Sequence, residues 1–326
     1  MSGETVKRAL PAILPAVIPV LCLCCSERSE PSPEQPGPGA LSDPSAPAVG
    51  SFAVTLVAAT SSTDGFTSVL GRVYDGPMPD QLGWDVAASA QGCELRIPVV
   101  PFCDPSCDSS AVCTQDEGCV PYPEAQDLGT VTMIGLDASA IEMKPIASTY
   151  QLPPAIALPS PPTDEGAAIR LESGGGAYAP FVIEGSGIAP LSLSGPEVIP
   201  LDGAEPLLLQ WAPPSDQAAS RIQIKIDISH HGGLKGVIEC DVDDDGEAEI
   251  GASLIEQLIG LGVAGFPTIN VIRSSTSSTN IEPGRVLLTV SSRVERPLEV
   301  PGVVSCNDDD ECDAGQTCAS NRTCEP

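Results

Sequence analysis

The sequence predicts a mostly β protein: a β-sandwich-like central domain with one short helix, flanked by small disulfide-rich modules. Three observations carry this. Proline (34) and glycine (31) are frequent in a chain of 326 residues, which favours short strands and many turns over long helices. In Arg221–Ser229, four isoleucines (Ile222, Ile224, Ile226, Ile228) alternate with Gln223, Lys225, Asp227 and Ser229, the period-two signature of a strand with one face in a core. Eight of the thirteen cysteines fall into two clusters of regular spacing, as in a disulfide framework made in an oxidising compartment.

Residues 1–24 read as an export signal. Lys7 and Arg8 precede an apolar run from Ala9 to Cys24 that Pro11, Pro15 and Pro19 interrupt. The run is short for a bilayer-spanning helix, which needs about 20 residues. It ends in Leu21-Cys22-Leu23-Cys24-Cys25-Ser26, which resembles a bacterial lipoprotein signal, where a cysteine just after the apolar run is lipidated. Cys25 is the expected lipidation site, because Cys24 before it is small. Cys24 is the alternative, with Leu21 well placed at −3 but Leu23 large at −1. Residues 25–50 are dense in Pro, Ser and Glu and almost free of large apolar side chains, so they read as a disordered, extended spacer.

Residues 51–102 read as a small β region, with strands at Phe52–Val57, Thr67–Tyr74 and Glu94–Val100. A first cysteine module occupies 103–125 (Cys103, Cys107, Cys113, Cys119). A second occupies 305–326 (Cys306, Cys312, Cys318, Cys324). Neither has a Cys-x-x-Cys pair or a histidine, so disulfides are expected rather than zinc. Four cysteines allow three pairings, and spacing does not choose among them. Cys93 and Cys240 remain, and counting pairs them with each other.

Residues 126–304 form the expected sandwich. Strands are predicted at 129–136, 167–171, 181–184, 207–211, 221–229, 236–240, 268–273 and 285–290, with 247–250 as the second arm of a hairpin if Asp245-Gly246 is a turn. A helix is predicted over Leu254–Leu261, with Ser253 as N-cap and Gly262 beyond its end. The Ser/Thr run 274–279 reads as a loop.

Net charge is −29, with 44 acidic against 15 basic residues, which repels phosphate backbones and excludes a nucleic-acid partner. The chemistry-bearing residues gather near the isoleucine strand. Asp241, Asp243 and Asp245, followed by Gly246, match the first half of a calcium loop, whose oxygen ligands sit at alternate positions. The twelfth position, where a glutamate would close the shell, is Ala252, and a hairpin turn at Asp245-Gly246 explains the same residues. His230 and His231 are the only histidines. Neighbours on a strand face opposite ways, so the pair is not expected to share a metal. A Ser-His-Asp site would need one of them with Asp227, and no G-x-S-x-G or S-x-x-K element supports it. No catalytic residues are assigned, and an enzyme is not expected.

The segments PFCDPSC, CVPYPEAQDLGTVTMIGL, LLLQWAPP, ISHHGGLKGVIECDVDDDG, LGVAGFPTI and SCNDDDECDAGQTC resemble an uncharacterised family of cysteine-rich predicted lipoproteins of myxobacterial type. That resemblance implies a bacterial cell-envelope location, as an outer-membrane lipoprotein, and transfers no activity. The resulting expectation is an envelope-anchored surface lipoprotein with a structural or binding role. It would touch the membrane through its lipid and bind an envelope or extracellular protein. A calcium-dependent binding module is the alternative function, and simple secretion the alternative location.

Overall fold

The computed structural model describes residues 45–59, 64–115, 118–137, 139–216 and 220–326. The expected signal segment 1–24, the lipidation candidates Cys25 and Cys24, and most of the 25–50 spacer lie outside them. Among the described residues, no helix is long and apolar enough to cross a membrane.

The chain runs through β1 (Ala48–Val57), β2 (Phe66–Val73), β3 (Gly83–Ala90) and β4 (Cys93–Val99). The hairpin β5 (Ala111–Thr114) and β6 (Gly118–Pro121) follows, then β7 (Val131–Ile134), β8 (Ile141–Met143) and β9 (Tyr150–Gln151). Next come β10 (Ala168–Ser173), β11 (Phe181–Ser186), β12 (Ile199–Pro200), β13 (Leu207–Gln210) and β14 (Arg221–Asp227). The remaining elements are β15 (Val237–Asp243), β16 (Glu247–Ile250), α1 (Ala252–Gly260), β17 (Thr268–Asn280), β18 (Arg285–Glu299), β19 (Thr317–Cys318) and β20 (Cys324–Glu325).

A ten-stranded mixed sheet in the order β3-β4-β15-β14-β17-β18-β1-β2-β9, with β12 beside β18, is the backbone of the fold. The expected small β region 51–102 is therefore not a separate unit. β1 pairs with β18 and β4 with β15, filling hydrogen-bonding positions that interior strands cannot leave open. β3 escaped the sequence reading because Gly-Trp-Asp-Val-Ala-Ala-Ser-Ala is short of β-branched residues; its register is held by β4 alone.

Two cores lie under this sheet. In the first, β1, β2 and the start of β18 face a four-stranded sheet, β11-β10-β7-β8, in sandwich fashion, with Phe52, Val54, Met133, Leu171 and Leu288 buried between them. Phe52 occupies the space opposite Gly71, where a Cβ would lie 2.1 Å from its ring. Tyr150 is fully buried beside it, and its hydroxyl accepts from the Leu128 amide at 2.7 Å. In the second core, Leu95 and the inner residues of β14, β15 and β17 meet the β13–β16 pair, Trp211 and α1. The helix buries Leu254, Ile255 and Leu258 there. Its N-cap is Gly251, not the expected Ser253, because the helix starts directly after β16. Ser253 instead lies in the first turn, with its Oγ 3.3 Å from Gln257 Nε2.

β17 and β18 are long enough to serve both cores. The Ser/Thr run 274–279, expected as a loop, is the second half of β17, laddered against β18 from Ser274↔Ser291 to Thr279↔Val286. Threonine suits a pleated strand, and Thr276 and Thr289 hydroxyls meet across it at 3.1 Å. Where the cores meet, Arg273 and Asp244 form a bidentate pair, at 2.6 and 2.9 Å, with side chains 1% and 0% exposed. Asp244 also accepts from Trp211 Nε1 (2.7 Å) and Ser220 Oγ (2.6 Å). Arg273 donates to the carbonyls of Ala189, Pro190 and Ala212, while Arg296 donates to those of Leu193, Ser194 and Pro196. The segment that crosses from the first core to the second is thus fastened by two buried guanidiniums. Among the described residues no buried side-chain polar atom lacks a partner.

Five disulfides close the framework. Cys93–Cys240 joins directly opposed residues of β4 and β15, as counting predicted. The two modules share one interlaced pairing, first cysteine to third and second to fourth: Cys103–Cys113 with Cys107–Cys119, and Cys306–Cys318 with Cys312–Cys324. In each, the third and fourth cysteines face each other across a hairpin, β5–β6 or β19–β20.

Asp244→Asn leaves a buried guanidinium without its counter-charge and is expected to cost about 3–5 kcal/mol in denaturant unfolding, whereas Asp244→Leu with Arg273→Met costs less than that. Burial alone would raise the Asp244 carboxyl, but hydrogen bonds from Arg273 and Ser220, the Arg273 charge and the Trp211 indole outweigh it and hold the pKa below the ordinary value. The unfolded chain then binds the proton more readily, so this contribution is complete above the ordinary carboxylate range and is lost as pH falls toward the folded value. An Asp244→Asn chain should show a flatter loss of stability as pH falls through and below the ordinary carboxylate range. Replacing Cys93 and Cys240 together by Ser should lower stability by about 2–4 kcal/mol without altering the other four disulfide peptides in a non-reduced map.

Candidate functional site

The inner face of the large sheet is covered, and its outer face over β3, β4, β15, β14 and β17 is open. Alternation along each strand decides what that face carries. Ile222, Ile224 and Ile226 point inward, so Gln223, Lys225 and Asp227 point outward; Leu95 points inward, so Glu94 and Arg96 point outward. Alternation along β4 sets Arg96 beside Glu94 at 3.1 Å, and cross-strand register brings it to Glu239 at 2.9 Å, with Lys225 3.9 Å from Glu239. Each of these ion pairs is about one-third exposed or more, so the ladder adds little stability and mainly keeps the face wet.

The face is concave. A shallow groove of about 800 Å³ runs over Gln223, Lys225, Glu239, Glu94 and Asn270. A second cleft of about 690 Å³ continues past Arg96 to Trp84, the loop Pro77-Met78-Pro79 and Gln115 of the first cysteine module. Arg96 lines both, so together they make one polar trough ending at Trp84, one of the two tryptophans in the chain. The volume suits a small ligand or an extended segment. Sequence reasoning missed Trp84 because β3 was missed. Arg96 could have been found by extending the alternation of 94–100 through Leu95.

The acidic turn is built differently from the calcium reading. Asp241 and Asp243 are on the outer face of β15 and both bind Arg221, at 2.5 and 2.6 Å. Asp245 is exposed in the bend before β16, and its carboxylate accepts from the Glu247 amide at 3.5 Å. The hairpin expected at Asp245-Gly246 does not form: β15 pairs with β14 and β4 while β16 pairs with β13, so the bend, with Gly246 at φ +108°, carries the chain from the large sheet to the β13–β16 pair. Among the described residues, no three carboxylates gather within 4.8 Å; the two trios that do are cysteines already in disulfides. The residue of this run with a structural task is Asp244. Its inward aim continues the period of Ile238, Cys240 and Val242, a signal present in the sequence.

His230 and His231 lie just after β14, not on it. Asp227 Oδ1 accepts from the Ser229 amide (2.8 Å) and Ser229 Oγ (3.1 Å). That oxygen is therefore engaged, and among the described residues no hydrogen bond joins Asp227 to either imidazole. A Ser-His-Asp constellation is not assembled. The two rings meet each other instead, with centroids 4.0 Å apart.

Because Arg221 engages both Asp241 and Asp243 and the three carboxylates do not converge, calcium at millimolar concentration should leave the thermal midpoint unchanged; a rise that vanishes in Asp243→Asn would contradict this geometry. No protein-family description matches the chain, and no curated protein is similar to it.

Proposed function

We propose that the chain is a surface lipoprotein anchored in a bacterial cell envelope, with a structural or binding role and no enzymatic activity. The observation that carries this reading is the distribution of cysteines. The ten beyond residue 90 are all spent in disulfides, which require an oxidising compartment and hence export. The other three, Cys22, Cys24 and Cys25, cluster at the end of the apolar N-terminal run, ahead of a Pro/Ser-rich spacer. A lipidated Cys25 would tether the protein, and the spacer would hold the disulfide-stapled body away from the lipid surface. The resemblance to cysteine-rich predicted lipoproteins points the same way.

For the binding role, the trough over Lys225, Arg96 and Trp84 is the surface we assign to a partner from the envelope or the extracellular space. Its mixed charges and the net charge of −29 favour a protein or neutral ligand over a nucleic acid. Outer-membrane placement is the expected address, with simple secretion as the alternative.

Metabolic labelling with a radioactive fatty acid in a bacterial host tests the anchor. Label is expected on the native chain and absent from Cys25→Ser. Label surviving in Cys25→Ser but lost in Cys24→Ser moves the attachment by one residue, and no label on the native chain would leave only the secreted form.

A further inference from the structure

The chain has only two histidines, and the fold presses them together. On a strand, adjacent side chains diverge, but here the strand has ended and His231 takes a left-handed backbone, φ +62°. That turn swings its ring onto that of His230, with centroids 4.0 Å apart and planes tilted by 51°. His231 is exposed and His230 half-buried, so the pair has an open side to solvent.

The backbone under the rings is fixed. Phe266 donates to the His230 carbonyl at 2.8 Å, Ala264 to that of Ile228 at 2.9 Å, and Gly232 closes the turn onto Ser229 at 2.8 Å. Gly265 threads past His230 so closely that a Cβ there would lie 2.0 Å from its carbonyl oxygen. Gly265 in turn donates to Asn321 of the C-terminal cysteine module at 2.7 Å, and that module is cross-linked by two disulfides. The backbone that carries the two imidazoles is thus held by a cross-linked scaffold.

We propose that His230 and His231 form a two-ligand site for a divalent late transition metal, of the Cu²⁺, Ni²⁺ or Zn²⁺ class, with its other positions open. Imidazole suits these borderline ions, whereas calcium and magnesium prefer oxygen. A metal about 2.0 Å from a ring nitrogen lies about 3.1 Å from that ring's centre, so two rings in adjacent positions about 90° apart have centres about 4.4 Å apart. The observed 4.0 Å lies within a small side-chain rotation of that spacing. The strongly acidic chain raises the local concentration of cations. Open coordination positions leave room for a donor from another molecule. The site is independent of the anchor and of the trough.

The test uses the full chain in detergent with Cys22, Cys24 and Cys25 replaced by Ser, which removes the competing thiols. Titration with Cu²⁺ or Ni²⁺ alone is followed by calorimetry, by imidazole NMR and, for copper, by electron spin resonance. One equivalent is expected to perturb both rings together, with copper hyperfine structure from two nitrogens. His231→Asn keeps a residue that tolerates the left-handed backbone. Since losing even an outer-shell partner costs about 10–100-fold, removing this ligand should weaken binding at least about tenfold. Perturbation of neither ring or of one alone, or equal affinity in His231→Asn, would overturn the proposal. The NMR and spin-resonance readouts need no histidine variant, so a folding defect in one does not mask the answer.

Discussion

The bidentate contact between Arg273 and Asp244 is the constraint around which the rest of the molecule is arranged. It lies where two hydrophobic cores meet under a single sheet, and both partners are out of reach of water. An ion pair in such a place is no free source of stability, because desolvation offsets most of the Coulombic gain. Its value is positional. The guanidinium has five donors, and after two go to Asp244 the others face the carbonyls of Ala189, Pro190 and Ala212. Those carbonyls belong to segments that would otherwise bury unsatisfied backbone. Arg296 repeats the device one step along the crossing chain.

This explains how a chain with 3% aromatic residues supports a ten-stranded sheet. Each core is modest and made of Val, Ile, Leu and a few larger side chains, and neither spans the length of β17 and β18. Charged and hydroxyl groups at Arg273, Ser292 and Arg296 fill the seam between them and hold the connecting chain in register. Disulfides then secure what the cores do not reach. The cysteine modules are polar and small, and Cys93–Cys240 locks β4, from the N-terminal part of the chain, to the middle of the sheet.

Much of this was legible in the alternation of residues, and two of the misreadings share a tertiary cause. The isoleucine strand and the pairing of Cys93 with Cys240 follow from period two and counting. The same period assigns Asp241 and Asp243 outward and Asp244 inward, yet the motif of alternate acids drew attention to the outward set. Ser274–Thr279 reads as a loop locally because its strand character comes from β18 beside it, a tertiary effect. The division at residue 102 failed likewise, since β18 and β15, which pair with β1 and β4, lie roughly 140 or more residues further along the chain. The meeting of His230 and His231 depends on a single positive φ that no pattern of side chains announces.

If the buried pair couples the two cores, the amides of β17 and β18 form one cooperative unit. Native-state hydrogen exchange on the wild-type and Asp244→Asn chains measures this most directly. The account predicts that Val271 and Ile272 over the second core, and Leu288 and Val290 over the first, share one opening free energy in the wild type and lose protection together in Asp244→Asn. Loss confined to Val271 and Ile272, with Leu288 and Val290 unchanged, would contradict it and mean that the two cores open independently.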